Sequence, residues 1–446
     1  MIRGSTFKSG MKSVAAAKRA IATATTPTKY ATLSNGVTIA TETNPHAKVS
    51  TIGLWFGAGS RSEHSYSNGI SALTVSTLAS TLEDGVLLTS QSTKETNAII
   101  AQTTNDNVLE AAKLISKIGS NPSEYLEKAD LALSKSQLIA QAAQLEATPD
   151  KMVLEHLNAS AFQGYSLALP TLGTSESISG LQLQDSERLL ERHLVGSNVV
   201  VAASGNFDHN QLVEAVEAAL SIKQGHKPAV KPASFLGSEV KMRDDTMPKA
   251  YVALAAQGEG VSSPAYYVAQ VASKIFNDFD HHSAFAKFQS PKLASQVQEY
   301  HIVDKYTHFS TSYSDTGLWG FNAEISNIYQ IDDFVHFTLK QWNRLSISIT
   351  DAEVERAKQQ TKTALLAGLN STEAIASDIA KKVLLLGYRT SIRESLEKID
   401  AITTKDVRAW AQAALWDKDI VISGTGQIEG LMDYNRWRNG MAMMRW

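Results

Sequence analysis

The feature that most restricts how this chain can fold is an internal repeat. Residues 178–205 (ISGLQLQDSERLLERHLVGSNVVVAASG) align without a gap on residues 399–426 (IDAITTKDVRAWAQAALWDKDIVISGTG), at an offset of 221. Ile178 falls on Ile399, Asp185 on Asp406, Leu194 on Leu415 and Gly205 on Gly426. Each copy reads as a helix with an Asx or Thr start, followed by a buried apolar strand that ends at Gly. Just upstream, Gly164-Tyr165 and Gly387-Tyr388 recur with a two-residue slip. The starts of the halves correspond more loosely. TIGLWFGAG (51–59) and YVALAAQGEG (251–260) are both short strands running into Gly-containing turns, each followed by a helical pattern, at 68–80 and 265–276.

The repeat predicts an α+β chain of two similar domains. Each is a mixed, mainly antiparallel sheet with helices packed on one face, the simplest two-layer arrangement for such elements. Residues 52–56 and 199–203 are apolar runs suited to central strands, and long helical patterns cover 124–162 and 351–386. The expected organisation is a leader at 1–27, an N-terminal domain at 28–222, a linker at 223–247 and a C-terminal domain at 248–446. The linker begins in KQGHKPAVK (223–231), polar and carrying Gly and Pro.

Charge distribution sets off the leader. The first acidic residue is Glu42, whereas Arg3, Lys8, Lys12, Lys18, Arg19 and Lys29 precede it among many Ser, Thr and Ala. As a helix this start is amphipathic, with Lys18 intruding on the apolar side. An acid-poor, Arg- and Ser-containing start of this kind is the pattern of a mitochondrial transit peptide. Loss of five of the 42 basic residues leaves 37 against 45 acidic, a net charge of −8. An acidic chain is a poor partner for nucleic acid or for broad adhesion to anionic lipid. The sequence holds no apolar run long enough to span a bilayer, so membrane association is expected only through partners. With no cysteine among 446 residues, disulfides, thiolate metal sites and cysteine nucleophiles are excluded.

Two clusters invite a functional reading. Asp278-Phe279-Asp280-His281-His282 combines carboxylates and imidazoles that can hold a metal. Adjacent residues seldom point at one ion, however, and no distal ligand is evident, so a polar surface loop is the favoured reading. At the C-terminus, Tyr434, Trp437 and Trp446 stand beside Arg436, Arg438 and Arg445. That composition suits either a protein interface or packing on the chain's own second domain. Trp319 and Trp342 read as core.

Gly59-Ser60-Arg61 followed by Asn68-Gly69-Ile70 at a helix start resembles the entry to the zinc motif of the pitrilysin and mitochondrial processing-peptidase family. Asp315-Thr316-Gly317-Leu318-Trp319-Gly320 and the tail from Gly426 are similar to its β-type branch, most of all in fungi. The resemblance runs from about residue 30 to the C-terminus. In active members the helix after Asn-Gly carries His-x-x-Glu-His, in which two imidazoles one turn apart bind zinc and the Glu activates the bound water. Carried over position by position, the two His fall on Ala72 and Ser76, the general base on Val75, and a later Glu ligand on Gln141. Ala and Val have no lone pair, so the resemblance implies a degenerate peptidase with no catalytic, cofactor-binding or metal-ligating residue at this site. Met152-Val153-Leu154-Glu155-His156 has the Glu-His ending without the first His and reads as ordinary helix.

The β-type branch includes a core subunit of the mitochondrial ubiquinol–cytochrome c reductase complex. The resemblance therefore implies a structural role without haem, quinone or other cofactor. It further implies a matrix-side position in a dimeric complex, beside a homologous core subunit 2 and under cytochrome b, cytochrome c1 and the Rieske subunit. Two other roles remain open within the family. One is a processing-peptidase β-like subunit, for which residues 72, 75 and 76 would have to be His, Glu and His. The other is a presequence-binding module that uses acidic residues in the cavity between the halves. An α-type role in handling presequences is disfavoured, because residues 277–292 contain no Gly.

Overall fold

The computed structural model describes residues 27–80, 86–289 and 291–442. The expected leader, apart from its last residue, lies outside them, as do Arg445 and Trp446. Twelve strands among the described residues form two six-stranded sheets. The first contains β1 (Lys29–Thr32), β2 (Thr38–Thr43), β3 (Val49–Phe56), β4 (Leu87–Ser92), β5 (Asn97–Thr104) and β6 (Val199–Gly205), in the order β1-β2-β6-β3-β5-β4. The second contains β7 (Ser238–Arg243), β8 (Ala250–Gly258), β9 (Asp278–Asp280), β10 (Lys305–Ser312), β11 (Gly317–Ile325) and β12 (Ile420–Gly426), in the order β7-β12-β8-β11-β10-β9.

The two orders share a five-strand pattern, β2-β6-β3-β5-β4 against β7-β12-β8-β11-β10. In each sheet one pair is parallel, β2 with β6 and β7 with β12, and the remaining pairs are antiparallel. The first half adds β1 at one edge and the second adds β9 at the other. Strand β7 falls within the segment 223–247 that the Gly and Pro content marks as linker. Its parallel pairing to β12 draws those six residues into the second sheet.

The repeated segment is the same structure twice. Helices Leu183–His193 and Thr404–Ala414 lead into β6 and β12. Asp185 accepts from the backbone N–H of Gln182 at 2.9 Å, and Asp406 does the same from Thr403 at 2.8 Å. A carboxylate in the first turn that satisfies an orphan N–H fixes where each helix starts. The long helical patterns are interrupted where the sequence supplies caps. Asp130 accepts from Leu133, Pro149 opens a new helix, and Ser371 accepts from Ala374.

Both faces of the central strands are covered, which is why β6 reads VVVAA rather than alternating. On one face of the first sheet, Ile52, Leu54, Ile99 and Val201 pack in a cluster with helices Ile70–Ala79, Val108–Ser120 and Leu183–His193. On one face of the second, Leu254, Trp319, Phe321 and Ile422 pack with Tyr266–Phe276, Ile331–Ile347 and Thr404–Ala414. The opposite faces are covered reciprocally. Ala376, Ile379, Ala380 and Val383 of helix Thr372–Leu386, from the second half, lie on Trp55, Ile100, Val200 and Ala202 of the first sheet. Val153, Leu157 and Ala161 of helix Pro149–Ala161, from the first half, pack with Ala253, Ala255, Leu318 and Val421 of the second. The recurring Gly-Tyr pairs follow these exchanged helices, with Gly164 and Gly387 left-handed at φ 84° and 83°. Glycine adopts that conformation without a Cβ penalty.

One buried titratable group gives the fold a pH dependence. His308 on β10 is 1% exposed, its Nε2 accepts from the Trp342 Nε1–H at 3.2 Å, and its ring stacks on Phe276. Burial pushes its pKa from the usual 6.5 down to about 3. The unfolded chain therefore binds a proton that the folded chain refuses between those values. The stability linked to this group is fully present above pH 6.5 and is lost as pH falls toward 3. Urea unfolding across that window should show a shallower acid-side decline in His308→Phe than in the parent.

Candidate functional site

The helix that resembles the zinc motif, Ile70–Ala79, begins at Gly69, whose φ of 93° leaves it as the residue that turns the chain into the helix. A Cβ there would meet the Leu172 carbonyl at 2.8 Å. Glu63 holds the start of this helix. Its carboxylate accepts from the Gly69 N–H at 2.8 Å, the Ser71 N–H at 2.7 Å and Asn68 Nδ2 at 2.8 Å. Burial pushes the Glu63 carboxyl above its ordinary pKa, against the pull of those donors. A negative group at a helix N-terminus is otherwise favourable. Sequence reading passed over Glu63, and the signal it missed was an acidic residue within reach of the Asn-Gly turn.

Along the helix, Ala72 is 4% and Val75 1% exposed, both within the apolar cluster of the first half. Ser76 is half-buried. Gln141 is exposed on helix Leu131–Glu146, which packs against Ile70–Ala79. At the four positions that the resemblance gives to two imidazoles and two carboxylates, the structure thus places two buried apolar side chains, a half-buried Ser and an exposed Gln. No group of three His, Asp or Glu among the described residues could hold a metal ion.

The other candidates resolve into structure. In the decoy segment, Glu155 pairs with Lys94 at 3.0 Å, and burial pushes the His156 pKa down. Asp278–Asp280 is not loop but edge strand β9, paired to β10 with Phe279 buried. His281 packs its ring against His301, and Asp280 accepts from the His282 backbone N–H at 2.9 Å. At the C-terminus, helix Tyr434–Ala442 packs on Ile331–Ile347 with Trp437 2% exposed. Arg438 pairs with Asp417 at 2.9 Å and Asp419 at 2.7 Å. Of the two readings for that segment, packing on the chain's own second half accounts for Trp437 and Arg438.

The two motifs that carried the family resemblance meet in space. Arg61 donates to both carboxylate oxygens of Asp315 at 2.7 Å and to Glu95 at 2.8 Å, joining the halves across 254 positions. Asp315, which also accepts from the Ala233 N–H, is partly desolvated, yet Arg61 and that N–H hold its pKa below the usual carboxylate range. A second clamp joins strand β2 to the second half. There Arg389 is buried between Glu42 of β2 and Asp378 of the exchanged helix. Between the halves is a cavity of about 710 Å³, lined by the β4–β5 turn, helix Pro149–Ala161, strand β10 and the exchanged helix. Its lining residues include none of Ala72, Val75, Ser76 and Gln141.

The architecture and the helix geometry define the class of protein. The family model described as "Insulinase (Peptidase family M16)" matches residues 38–80, and that described as "Peptidase M16 inactive domain" matches 180–361. The chain belongs to the M16 peptidase family. Its relatives narrow this to one branch. It is 61% identical over its full length, and the full length of the relative, to the mitochondrial cytochrome b-c1 complex reductase subunit of Candida albicans. It is 42% identical to mitochondrial cytochrome b-c1 complex subunit 1 of Saccharomyces cerevisiae, covering 96% of this chain and 97% of that one. The β subunit of the mitochondrial-processing peptidase of Lentinula edodes is 34% identical, over 94% of each chain. Among solved structures, a chain of complex III2 from Candida albicans, with Inz-5 bound, superposes with a TM-score of 0.91 at 63% identity. The match covers 93% of this chain and all of that one.

Proposed function

We infer that this chain is a non-catalytic core subunit, subunit 1, of mitochondrial ubiquinol–cytochrome c reductase, and a structural member of that dimeric respiratory complex. The observation that carries the reading is an M16 scaffold kept intact around a helix with Ala72, Val75 and Ser76 at the positions that the resemblance gives to the zinc motif. A peptidase needs a metal-bound water and a base, and those side chains supply neither a ligand pair nor a proton acceptor. What remains is a large, doubly clamped two-sheet body, suited to presenting surface to other subunits. In this role it pairs with core subunit 2 and supports cytochrome b, cytochrome c1 and the Rieske subunit.

No helix among the described residues is long and apolar enough to cross a membrane. This supports peripheral attachment to the inner membrane through partners, and the matrix face is the side we propose. The basic, acid-poor segment 1–27 fits a presequence removed on import. Residues 28–222 and 248–446 are in this reading the two peptidase-like domains, joined by 223–247.

The test is a detergent-solubilised native gel of mitochondria, with mass spectrometry of the band that holds this chain. Co-migration with cytochrome b, cytochrome c1 and a second core-like subunit is the expected result. Recovery only as a soluble heterodimer free of cytochromes would overturn the reading, and would direct a zinc assay to the partner.

A further inference from the structure

Lysine side chains that are buried or half-buried in this chain hold partners, with one exception among the described residues. Lys94, Lys249, Lys358, Lys362 and Lys382 each pair with a carboxylate. Lys274 reaches Asp278 at 3.5 Å, and Lys135 donates to the Ser179 and Leu181 carbonyls. Lys381, on the exchanged helix, is half-buried and has neither an ion pair nor a hydrogen bond among the described residues. Asp378, three residues before it, is taken by Lys382 at 2.9 Å and by Arg389 at 3.1 Å. An ammonium that loses water without gaining a counter-charge is costly, and the neutral amine is favoured in its place. Burial accordingly lowers the Lys381 pKa, with Asp378 opposing.

The amine is also within reach of a reagent. Lys381 lies in the wall of the 710 Å³ cavity between the halves. It lies as well in the wall of a second cavity, of about 660 Å³, bordered by the exchanged helix and helices Tyr266–Phe276 and Asp351–Ala367. Charged groups face it from both sides. In the first cavity Glu95, Glu155 and Glu324 are held by Arg61, Lys94 and Lys249, and Asp150 and Lys305 complete the set. In the second stand Lys274 and Glu373, the latter accepting from Gln102 Nε2 at 2.7 Å. The first wall carries four carboxylates against three lysines, and the second three lysines against two carboxylates. Neither holds an ionic ligand by charge alone. What the two cavities offer is room beside an unpaired amine.

A desolvated primary amine beside open volume is a nucleophile. Its lone pair attacks the carbonyl carbon of an acyl thioester, a C–N bond forms and the C–S bond breaks. The thiolate leaves, and the proton shed by the nitrogen passes through solvent to the sulfur. Nothing is oxidised or reduced. The product amide no longer carries the uncompensated charge, and the cavities have space for its acyl group. Exposed lysines without partners, such as Lys48 and Lys405, keep their water and gain no such advantage.

We propose that Lys381 is a site of covalent acylation by small acyl thioesters, its unpaired and partly desolvated amine being held between two cavities. The modification goes beyond the structural role and does not depend on it. Its failure would leave the subunit assignment untouched.

The probe is the acetyl thioester of N-acetylcysteamine, a small uncharged donor, incubated with the purified full chain. Mass spectrometry of the digested protein then follows each lysine separately over time. Near neutral pH, Lys381 should acetylate about threefold or more faster than Lys48 and Lys405. Its rate should also level off at a lower pH than theirs. Unfolding the chain in urea should bring the three rates together, because the advantage comes from the fold. Lys381→Arg should remove the fast phase of acetyl uptake, read from the intact mass, and leave the slower uptake in place. The parent chain alone decides the matter should that variant fail to fold. A Lys381 that reacts no faster than Lys48 and Lys405, a pH profile that coincides with theirs, or an advantage that survives in urea would each overturn the proposal.

Discussion

Arg389→Met should destabilise the chain by about 3–5 kcal/mol, the cost of stranding one charge of a buried pair. Arg389 is 2% exposed at its side chain, and its two carboxylate partners, Glu42 and Asp378, are 7% and 22% exposed. It also donates to Thr28 Oγ1 at 3.2 Å, and its backbone N–H donates to the Tyr30 hydroxyl at 3.0 Å. Methionine fills the volume but leaves Glu42 ionised in a dry site between the halves. Asp378 loses less, because Lys382 still pairs with it at 2.9 Å. The double variant Glu42→Gln/Arg389→Met removes the stranded charge and should regain a substantial part of the loss. Urea unfolding of the parent, both single variants and the double variant measures the coupling directly. A loss below about 1 kcal/mol in Arg389→Met would mean that water reaches Glu42 and that the clamp behaves as a surface pair.

Placing a carboxylate at the position that the resemblance gives to the family's general base, Val75→Glu, should also cost several kcal/mol, with or without added zinc. Val75 is 1% exposed and sits in the same apolar cluster as Leu73 and Leu78. A carboxylate placed there has its folded pKa raised above the unfolded value. The penalty is therefore smallest below the ordinary carboxylate pKa and grows as pH rises through the raised one. Thermal melts at acid and neutral pH separate this from simple overpacking, which is independent of pH. Equal losses at both would sink the buried-charge account. Because the helix packs its apolar side chains into the core, Val75→Glu should yield no peptidase activity.

Particular residues show how far the sequence reading reached. The 221-residue offset located two equivalent helix-strand units, and the structure gives each the same cap, Asp185 and Asp406. Apolar runs placed β3 and β6 at the centre of a sheet, where they are paired. Residues 72, 75 and 76, to which the resemblance carries the zinc motif, lie on one helix that starts at Gly69. Other features left no local trace. Strand β7 looked like linker because only two of its six residues, Val240 and Met242, are apolar and its pairing partner, β12, lies some 180 residues further along. Glu63 was one acid among 45 until its geometry made it the cap of the degenerate helix.

The sequence by itself determined the duplication, the two-sheet α+β class and the absence of cysteine chemistry. These rest on residue type and on spacing along the chain, and both are read directly from it. Only the tertiary structure decided which helix covers which sheet and which arginines clamp the halves. Helices Pro149–Ala161 and Thr372–Leu386 carry apolar faces that would suit either sheet. Periodicity shows that a face must be buried and not against what. The Arg61–Asp315 and Arg389–Glu42 pairs join residues hundreds of positions apart. Ion pairing depends on distance in space, which a linear pattern of charges does not contain.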